Sequence, residues 1–222
     1  MEINPVAEYH CCIDGKFGLP RQAGLAKSLR GTVTLIPPYN SVDALRGLEG
    51  FDYLWLIWGF DRNTVSDASL TVRPPRLGGN RRMGVFATRS PFRPNGLGLS
   101  CVRLVRIDGC TLTVEGADLA DGTPVYDIKP YVAYADAHTD VRCGFVDEEQ
   151  WHSLEVVWEE GAQKTLEDRG FTSQDIEALG QILSQDPRPA YKSDGDRIYG
   201  LVFKETDVHF RVEDGVLTVI AG

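Results

Sequence analysis

Short apolar runs separated by turns that contain glycine and proline dominate the first 138 residues of the chain. Short runs that are rich in β-branched and aromatic side chains are typical of strands. They occupy residues 32–36, 53–58, 83–88, 99–105 and 111–114. Turn signals follow several of them, for example at Asp108-Gly109 and Asp121-Gly122. Many short strands with frequent turns predict a closed or nearly closed β-barrel.

The only helix that the pattern predicts in this part is short, at residues 41–48. Ser41 is expected to cap its first turn. Val42, Leu45 and Leu48 are expected to face inward.

The C-terminal part has a different pattern, because apolar residues recur there at helical spacing. Residues 162–168 and 173–184 are predicted helices, and Pro187 ends the second one. Ile176, Leu179 and Leu183 share its apolar face. Predicted strands follow at residues 198–203, 208–212 and 216–220, the last two joined by a hairpin turn at Asp214-Gly215.

Together these elements predict a mainly β protein with two domains. Residues 1–139 form a small closed β-barrel domain, and residues 140–222 form a small α+β domain. A chain of 222 residues with 42% hydrophobic and 25% charged residues is long enough to bury a core without disulfide or metal staples.

Cysteine content and hydropathy indicate the compartment. The five cysteines have an odd count and no Cys-x-x-Cys spacing, so we expect neither a disulfide framework nor a metal site. No apolar run is long enough to span a membrane. The first residues lack the basic and apolar regions of a signal peptide. We therefore expect a cytoplasmic protein.

Charge is unevenly distributed along the chain. The formal net charge is −9, yet the stretch from Arg73 to Arg106 holds eight arginines and no Asp, Glu or Lys. Outside that stretch 15 basic residues stand against 32 acidic ones, a charge of −17. Arginine is the better bidentate ligand for phosphate and carboxylate. The ordinary alternative is a solvated surface, but an arginine field on an acidic body favours one polyanionic partner.

Several common catalytic motifs are absent from the sequence. It contains no G-x-G-x-x-G after a strand, no G-x-x-x-x-G-K-[ST] loop, no H-E-x-x-H and no G-x-S-x-G. Its four histidines are dispersed. Rossmann-type dinucleotide binding, metal-assisted hydrolysis and Ser-His-Asp chemistry are therefore disfavoured.

The densest group of polar and conformationally special residues lies between Met83 and Ser100. A strand runs there into a loop with two arginines, two prolines, an asparagine and two glycines. Proline stiffens such a loop, and glycine permits close approach of the backbone to a ligand. The segment therefore predicts a ligand site rather than a plain rigid turn, and Arg93 and Asn95 are candidate substrate contacts.

Three further segments combine turn residues with charged side chains: residues 17–22, the pair Asp61-Arg62, and residues 121–131. In the last, Asp127, Lys129 and Tyr131 alternate and so share one face of a strand. Each segment is weak evidence alone, but together they indicate a site.

With these motifs the chain resembles the TsaA-like (TrmO) family, S-adenosylmethionine-dependent methyltransferases that act on tRNA. The resemblance covers nearly the whole chain. The matching runs are Pro20-Arg21-Gln22, Tyr39-Asn40, residues 46–51, 71–80 and 88–95, the D-G-T-P-x-x-D-I-K-P-Y run from Asp121, and residues 186–191. The resemblance implies a cofactor-binding β-barrel, a homodimer with the cofactor cleft near the subunit boundary, and N6-methylation of N6-threonylcarbamoyladenosine at tRNA position 37, next to the anticodon.

The resemblance also implies the residues that contact S-adenosylmethionine. They are Pro20, Arg21, Gln22, Asp61, Arg62, Arg89, Leu99, Asp121, Gly122, Thr123 and Pro124. Two positions depart from the family pattern: a histidine is more usual where Asp61 stands, and the usual Asn-Pro-Ile-Gly is here Asn95-Gly96-Leu97-Gly98.

Methylation of a carbamoylated N6 needs a group that accepts its proton. Asp127 and Tyr131 are the candidates, although Asp127 has the alternative of a structural ion pair with Lys129 or an arginine. Lys129 or an arginine is expected to hold the threonyl carboxylate. The arginine-rich stretch, including Arg81 and Arg82, is expected to bind phosphates of the anticodon loop, and Arg188 and Tyr191 to add a phosphate and a stacking contact.

Two other functions remain open on the sequence alone. One is a module that binds S-adenosylmethionine or a nucleotide without transferring a methyl group. The other is a methyltransferase with a non-tRNA substrate.

Overall fold

The computed structural model describes residues 2–13, 15, 18–62, 70–74, 81–148, 153–188 and 197–221. The strands are β1 (Ala7–Cys11), β2 (Arg30–Leu35), β3 (Tyr53–Gly59), β4 (Thr71–Val72), β5 (Met83–Gly84), β6 (Leu97–Asp108), β7 (Thr111–Glu115), β8 (Thr123–Pro130), β9 (Glu155–Trp158), β10 (Tyr199–Phe203), β11 (Thr206–Glu213) and β12 (Val216–Val219). The α-helices are α1 (Ala133–Asp136), α2 (Phe145–Glu148), α3 (Ala162–Asp168) and α4 (Ser173–Ser184). None of the described helices is long and apolar enough to cross a membrane.

Six of these strands close into an antiparallel barrel in the order β1-β2-β7-β6-β3-β8. Alternate residues point inward, so Leu54, Leu56 and Trp58 of β3 are buried while Tyr53 is exposed. The barrel therefore forms around a filled core, as the sequence predicts.

Two local predictions are wrong. Residues 83–88 do not form one strand: only Met83–Gly84 pairs, and residues Val85–Ala87 form a 3-10 turn. The strand that pairs with it, β4, is only two residues long, and a strand cannot continue where it has no hydrogen-bonding partner. Near residue 41, Ser41 does cap a 3-10 helix and Leu45 is buried, but Val42 is 60% exposed.

The C-terminal region forms a four-stranded sheet in the order β10-β11-β12-β9, covered by α4. The helix predicted at residues 173–184 is confirmed, with a capping box between Thr172 and Asp175. Ile176, Leu179 and Leu183 are buried as expected. The sequence pattern does not predict the parallel strand β9, because it is only four residues long and its partner β12 lies far away in the sequence.

The segment between β1 and β2 joins the two sheets. Ile13, Ala26 and Leu29 belong to the hydrophobic core of the C-terminal region, not to that of the barrel. Gly18 lies so close to Leu201 that a Cβ atom would stand 2.1 Å from its Cδ1. The turn that follows Gly18 is therefore seated between barrel and C-terminal sheet.

Candidate active site

Most of the predicted cofactor residues lie in the connections at one end of the barrel. Because neighbouring strands are antiparallel, β1, β3 and β7 end where β2, β6 and β8 begin. Residues 12–29, 60–96 and 116–122 connect strands at this end. They carry every predicted cofactor residue except Leu99, Thr123 and Pro124, which lie in the first residues of β6 and β8.

Two of these segments touch through Gln22 and Arg89. The Arg89 guanidinium donates a hydrogen bond from Nη1 to Oε1 of Gln22, across 67 positions of sequence. Pro20 before them is buried, and the Arg21 guanidinium donates to the main-chain oxygen of Asp186 at 3.0 Å. The turn at residues 20–22 is thus tied both to the loop after β5 and to the C-terminal region.

The turn at Asp121 is the second contact point. The Arg62 guanidinium donates to the Asp121 main-chain oxygen. The Asp121 carboxylate accepts from the Cys11 N–H at 3.0 Å and lies 3.1 Å from Nδ1 of His10. Gly122 has a φ of +73°, which favours glycine, and Thr123 is buried with its hydroxyl on the Ala120 oxygen at 2.7 Å. Both contacts to β1 use Oδ1 of Asp121, so this turn presents its second carboxylate oxygen and its backbone to a ligand.

The loop at residues 88–96 is held by its own hydrogen bonds. The Arg93 guanidinium donates to the Thr88 oxygen at 3.3 Å, and the Thr88 hydroxyl accepts from the Ser90 N–H at 3.3 Å. Asn95 and Gly96 have φ values of 67° and 58°. Proline is restricted to negative φ, so this backbone path is closed to the Asn-Pro-Ile-Gly pattern of the family.

Asp118 is a nearby acidic residue that sequence reasoning missed. Its carboxylate accepts a hydrogen bond from the Ser100 hydroxyl, and the Ala23 N–H and the charge of Arg89 favour its charged form. Burial raises the pKa of Asp118 and outweighs these stabilising contacts. The available signal was a single charged residue within the apolar run Ala117–Ala120.

The predicted catalytic residues lie elsewhere on the barrel. Asp127 and Lys129 point outward from β8, level with Ile57 and Trp55 of β3, and form an ion pair at 2.9 Å. This ion pair is the structural alternative that the sequence allowed for Asp127. At about 3.3 Å per residue, Asp127 lies about 13 Å along the strand from Thr123.

Tyr131 is still farther from the Asp121 turn, about 26 Å along the strand direction. Its ring packs against those of Tyr53 and Trp55, with centroids 6.2 and 5.8 Å apart. Leu99 is on the same outward surface, opposite Ile57, and is 58% exposed. The structure therefore places most of the predicted cofactor residues at the barrel end, and it places Leu99 and the two proposed proton acceptors on the outward surface.

The arginine-rich stretch has mixed surroundings. Arg82 is exposed, whereas Arg81 is paired with Glu148 at 3.1 Å. Arg103 forms an ion pair with the buried carboxylate of Glu115 at 2.9 Å, so its charge is used within the barrel. Arg76 lies outside the described residues.

The predicted contacts in the C-terminal region also divide. Arg188 forms a bidentate ion pair with Asp186 at 2.7 and 2.9 Å, and its side chain is only 18% exposed. This pairing leaves little of its guanidinium for a phosphate. Tyr191 lies outside the described residues.

A groove of about 610 Å³ lies away from all these residues, between β9, α3 and α4. Its lining includes Glu167 and Glu177 and no basic side chain, which makes it unsuited to a polyanion. We therefore place the candidate site at the barrel end, where charged groups and main-chain oxygens from three segments converge.

Comparison with known proteins agrees with the fold and shows the family. The family models for the tRNA-methyltransferase O N-terminal domain and the TrmO C-terminal domain match residues 8–137 and 152–221. The tRNA (adenine(37)-N6)-methyltransferase of Escherichia coli K12 is 42% identical over 215 residues, which cover 93% of this chain and 91% of the relative. A Pseudomonas aeruginosa protein named as a candidate S-adenosylmethionine-dependent methyltransferase, RcsF, is 45% identical over 211 residues, 94% of this chain and 91% of that one. The crystal structure of TrmO from Pseudomonas aeruginosa superposes with a TM-score of 0.81 at 36% identity and covers 99% of this chain and 96% of that one.

Proposed function

The chain belongs to the tRNA-methyltransferase O family, and on that premise we propose that it transfers a methyl group from S-adenosylmethionine to N6 of adenosine 37 in tRNA, in the cytoplasm. We propose further that this adenosine carries the threonylcarbamoyl group. The observation that carries the proposal is the convergence of Gln22, Arg89 and the Asp121 turn at one end of the barrel.

The chemistry of this cluster suits S-adenosylmethionine. A guanidinium such as that of Arg89 can bind the ligand's carboxylate, and main-chain and amide oxygens can accept from its ammonium group. Gly122 has no Cβ to obstruct an approach to the backbone. When bound, the cofactor supplies a methyl group already activated by its positive sulfur.

Because the donor is activated, the protein's main task is to align it with the acceptor nitrogen. Fixed alignment is worth roughly 7–11 kcal/mol in favourable cases. The hydrogen bonds that tie Gln22 to Arg89 and Arg62 to Asp121 fix the segments that would provide this alignment. Loss of the N6 proton then requires an acceptor, for which Asp127 and Tyr131 remain our candidates.

The distance of Asp127 and Tyr131 from the barrel end is explained if the enzyme is a homodimer. We propose that the outward surface of β3 and β6, with Ile57 and the exposed Leu99, packs against a second copy. An apolar sheet face of this kind favours a partner over water. The proton acceptors of one protomer would then serve the cofactor of the other.

Subunit mass tests this arrangement. Light scattering should give twice the chain mass of 24.6 kDa for the wild type, and Ile57→Glu should give the single chain. Val202→Glu, at a 60% exposed strand position of the C-terminal sheet, is the matched control and should stay dimeric. A monomeric wild type would refute the homodimer.

The decisive experiment for the function is methyl transfer from labelled S-adenosylmethionine to tRNA with and without the threonylcarbamoyl group, followed by nucleoside mass spectrometry. We expect a methyl group only on the modified nucleoside. Transfer to unmodified adenosine would overturn the substrate assignment, and no transfer with intact cofactor binding would indicate a binding module or another acceptor.

The role of Asp127 can be tested in the same assay. Asp127→Asn should lower kcat by about 10²–10⁴-fold, the usual size of general base catalysis. Asp43→Asn removes an exposed, arginine-paired aspartate at the opposite end of the barrel and should have no effect. Normal transfer by Asp127→Asn would exclude it as the base.

A further inference from the structure

We propose that Asp118 is a positioning residue for the cofactor site, whose carboxylate acts on the turn that carries Gln22 and on the nearby charge of Arg89. The inference rests on the proposed site at the barrel end. It assigns a task to an acidic residue that none of the motifs in the sequence singled out.

The first support is a directed chain of hydrogen bonds from the barrel core. Nε1 of Trp58 donates to the Ser100 hydroxyl at 2.9 Å, and this hydroxyl donates in turn to the Asp118 carboxylate. A serine has one proton to give, so with Trp58 as its donor it must give that proton to Asp118. Ser100 is 1% exposed and Trp58 is 7% exposed, so the packed core fixes the position of these two hydrogen-bonding groups.

The second support is what Asp118 does at its other end. The segment that carries Asp118 is tied to the turn, because the Gly24 N–H donates to the Gly116 oxygen at 2.8 Å. The Ala23 N–H, directly after Gln22, and the charge of Arg89 both favour the charged form of the Asp118 carboxylate, and Arg89 itself donates to Gln22. One acidic group thus faces the backbone of the turn and balances the cation that contacts the Gln22 side chain.

The third support is the cost of keeping a carboxylate in this position. Burial disfavours its charged form and raises its pKa, although Ser100, Ala23 and Arg89 favour the charge. A neutral acceptor would avoid this cost, but it would not offset Arg89.

Asp118→Asn tests this use with little change in shape. An amide keeps one accepting oxygen but presents an N–H₂ group in place of the other, and it no longer balances the charge of Arg89. Hydrogen bonds that involve a charged group account for about a tenfold or larger change in an equilibrium constant. We expect the Kd for S-adenosylhomocysteine, measured by calorimetry, to rise at least about tenfold.

A matched control is Glu115→Gln, which neutralises another poorly exposed carboxylate that has arginine partners. It should lower the melting temperature without changing this Kd. In steady-state assays, Asp118→Asn should raise the KM for S-adenosylmethionine and leave the KM for tRNA unchanged, a split that general destabilisation would not produce.

Two more variants keep the test decisive. If Asp118→Asn does not fold, Ser100→Ala removes one donor to the carboxylate and should weaken binding roughly two- to tenfold. Arg89→Ala checks the site itself. If Arg89→Ala loses affinity while Asp118→Asn and Ser100→Ala bind within twofold of wild type, the positioning role is refuted; if Arg89→Ala also binds normally, the proposed site is refuted instead.

Discussion

Gly98 allows a direct test of the packing that supports the site. It lies opposite Trp58 in the β3–β6 ladder. A Cβ atom at Gly98 would stand 2.4, 2.5 and 2.7 Å from three atoms of the Trp58 ring, closer than real side chains come. The ring has little freedom to move, because it packs on Phe60 with centroids 4.4 Å apart and donates to Ser100.

The expected cost of Gly98→Ala follows from these contacts. Overpacking a core costs about 1–3 kcal/mol, and the lost Trp58–Ser100 hydrogen bond adds about 1 kcal/mol. A destabilisation of about 3 kcal/mol lowers the melting temperature of a chain this long by roughly 6–12 °C. Because Ser100 also donates to Asp118, the affinity for S-adenosylhomocysteine should fall in the same variant.

Thermal unfolding followed by far-UV circular dichroism measures the effect without cofactor. Gly84→Ala is the matched control: Gly84 has a φ of −59°, and a Cβ there would meet nothing within 4 Å. Its melting temperature should be unchanged or slightly raised. A Gly98→Ala variant that melts within about 2 °C of wild type would refute the packing argument.

Three further predictions concern other parts of the chain. Glu115 is buried, but hydrogen bonds from Gln174, Arg30 and Arg103 hold its pKa below the usual value. The ionised carboxylate therefore contributes its full stabilisation of the fold above about pH 4.3, the ordinary pKa of Glu, and this contribution is lost as the pH falls through the lower pKa of the folded state. In urea titrations, Glu115→Gln should cost about 1–3 kcal/mol at neutral pH, and a difference from wild type that did not shrink on acidification would contradict this linkage. Tyr199→Phe removes a buried hydroxyl that has no hydrogen-bond partner among the described residues, so stability should stay equal or rise by up to about 1 kcal/mol. A clear loss in the same titration would show that the hydroxyl is bonded. The double change Arg81→Ala and Arg82→Ala should weaken tRNA binding and reduce its salt slope by roughly 1–2, whereas Arg46→Ala, at the opposite end of the barrel, should alter neither quantity.

Much of the secondary structure was predictable from the sequence, because local patterns determine it. The alternation of β3 and the helical spacing of Ile176, Leu179 and Leu183 each depend on residues close in the chain. The prediction failed where pairing decided the outcome. Residues 83–88 have a strand-like composition, yet only two of them find a partner.

The site divides in the same way. The resemblance of the motifs to a family predicted residues 20–22, 89 and 121–124 as cofactor contacts. The turn at Gly122 has the positive φ that glycine favours. No local pattern could show that Asp118 receives a hydrogen bond from Ser100. That contact arises only because β7 ends beside β6, where the chain after Glu115 passes Ser100.

Most of the strands, the turns, the main C-terminal helix α4 and the family could be predicted from the sequence, because each depends on residues that are close together in the chain. Which charges are available to a ligand depends instead on the tertiary structure. Arg103 and Arg188 lie in stretches that suggest phosphate binding, but each is held by a carboxylate that the fold brings to it. A charge acts on whatever lies within a few ångströms of it, and that neighbourhood is set by the closure of the barrel rather than by the order of residues along the chain.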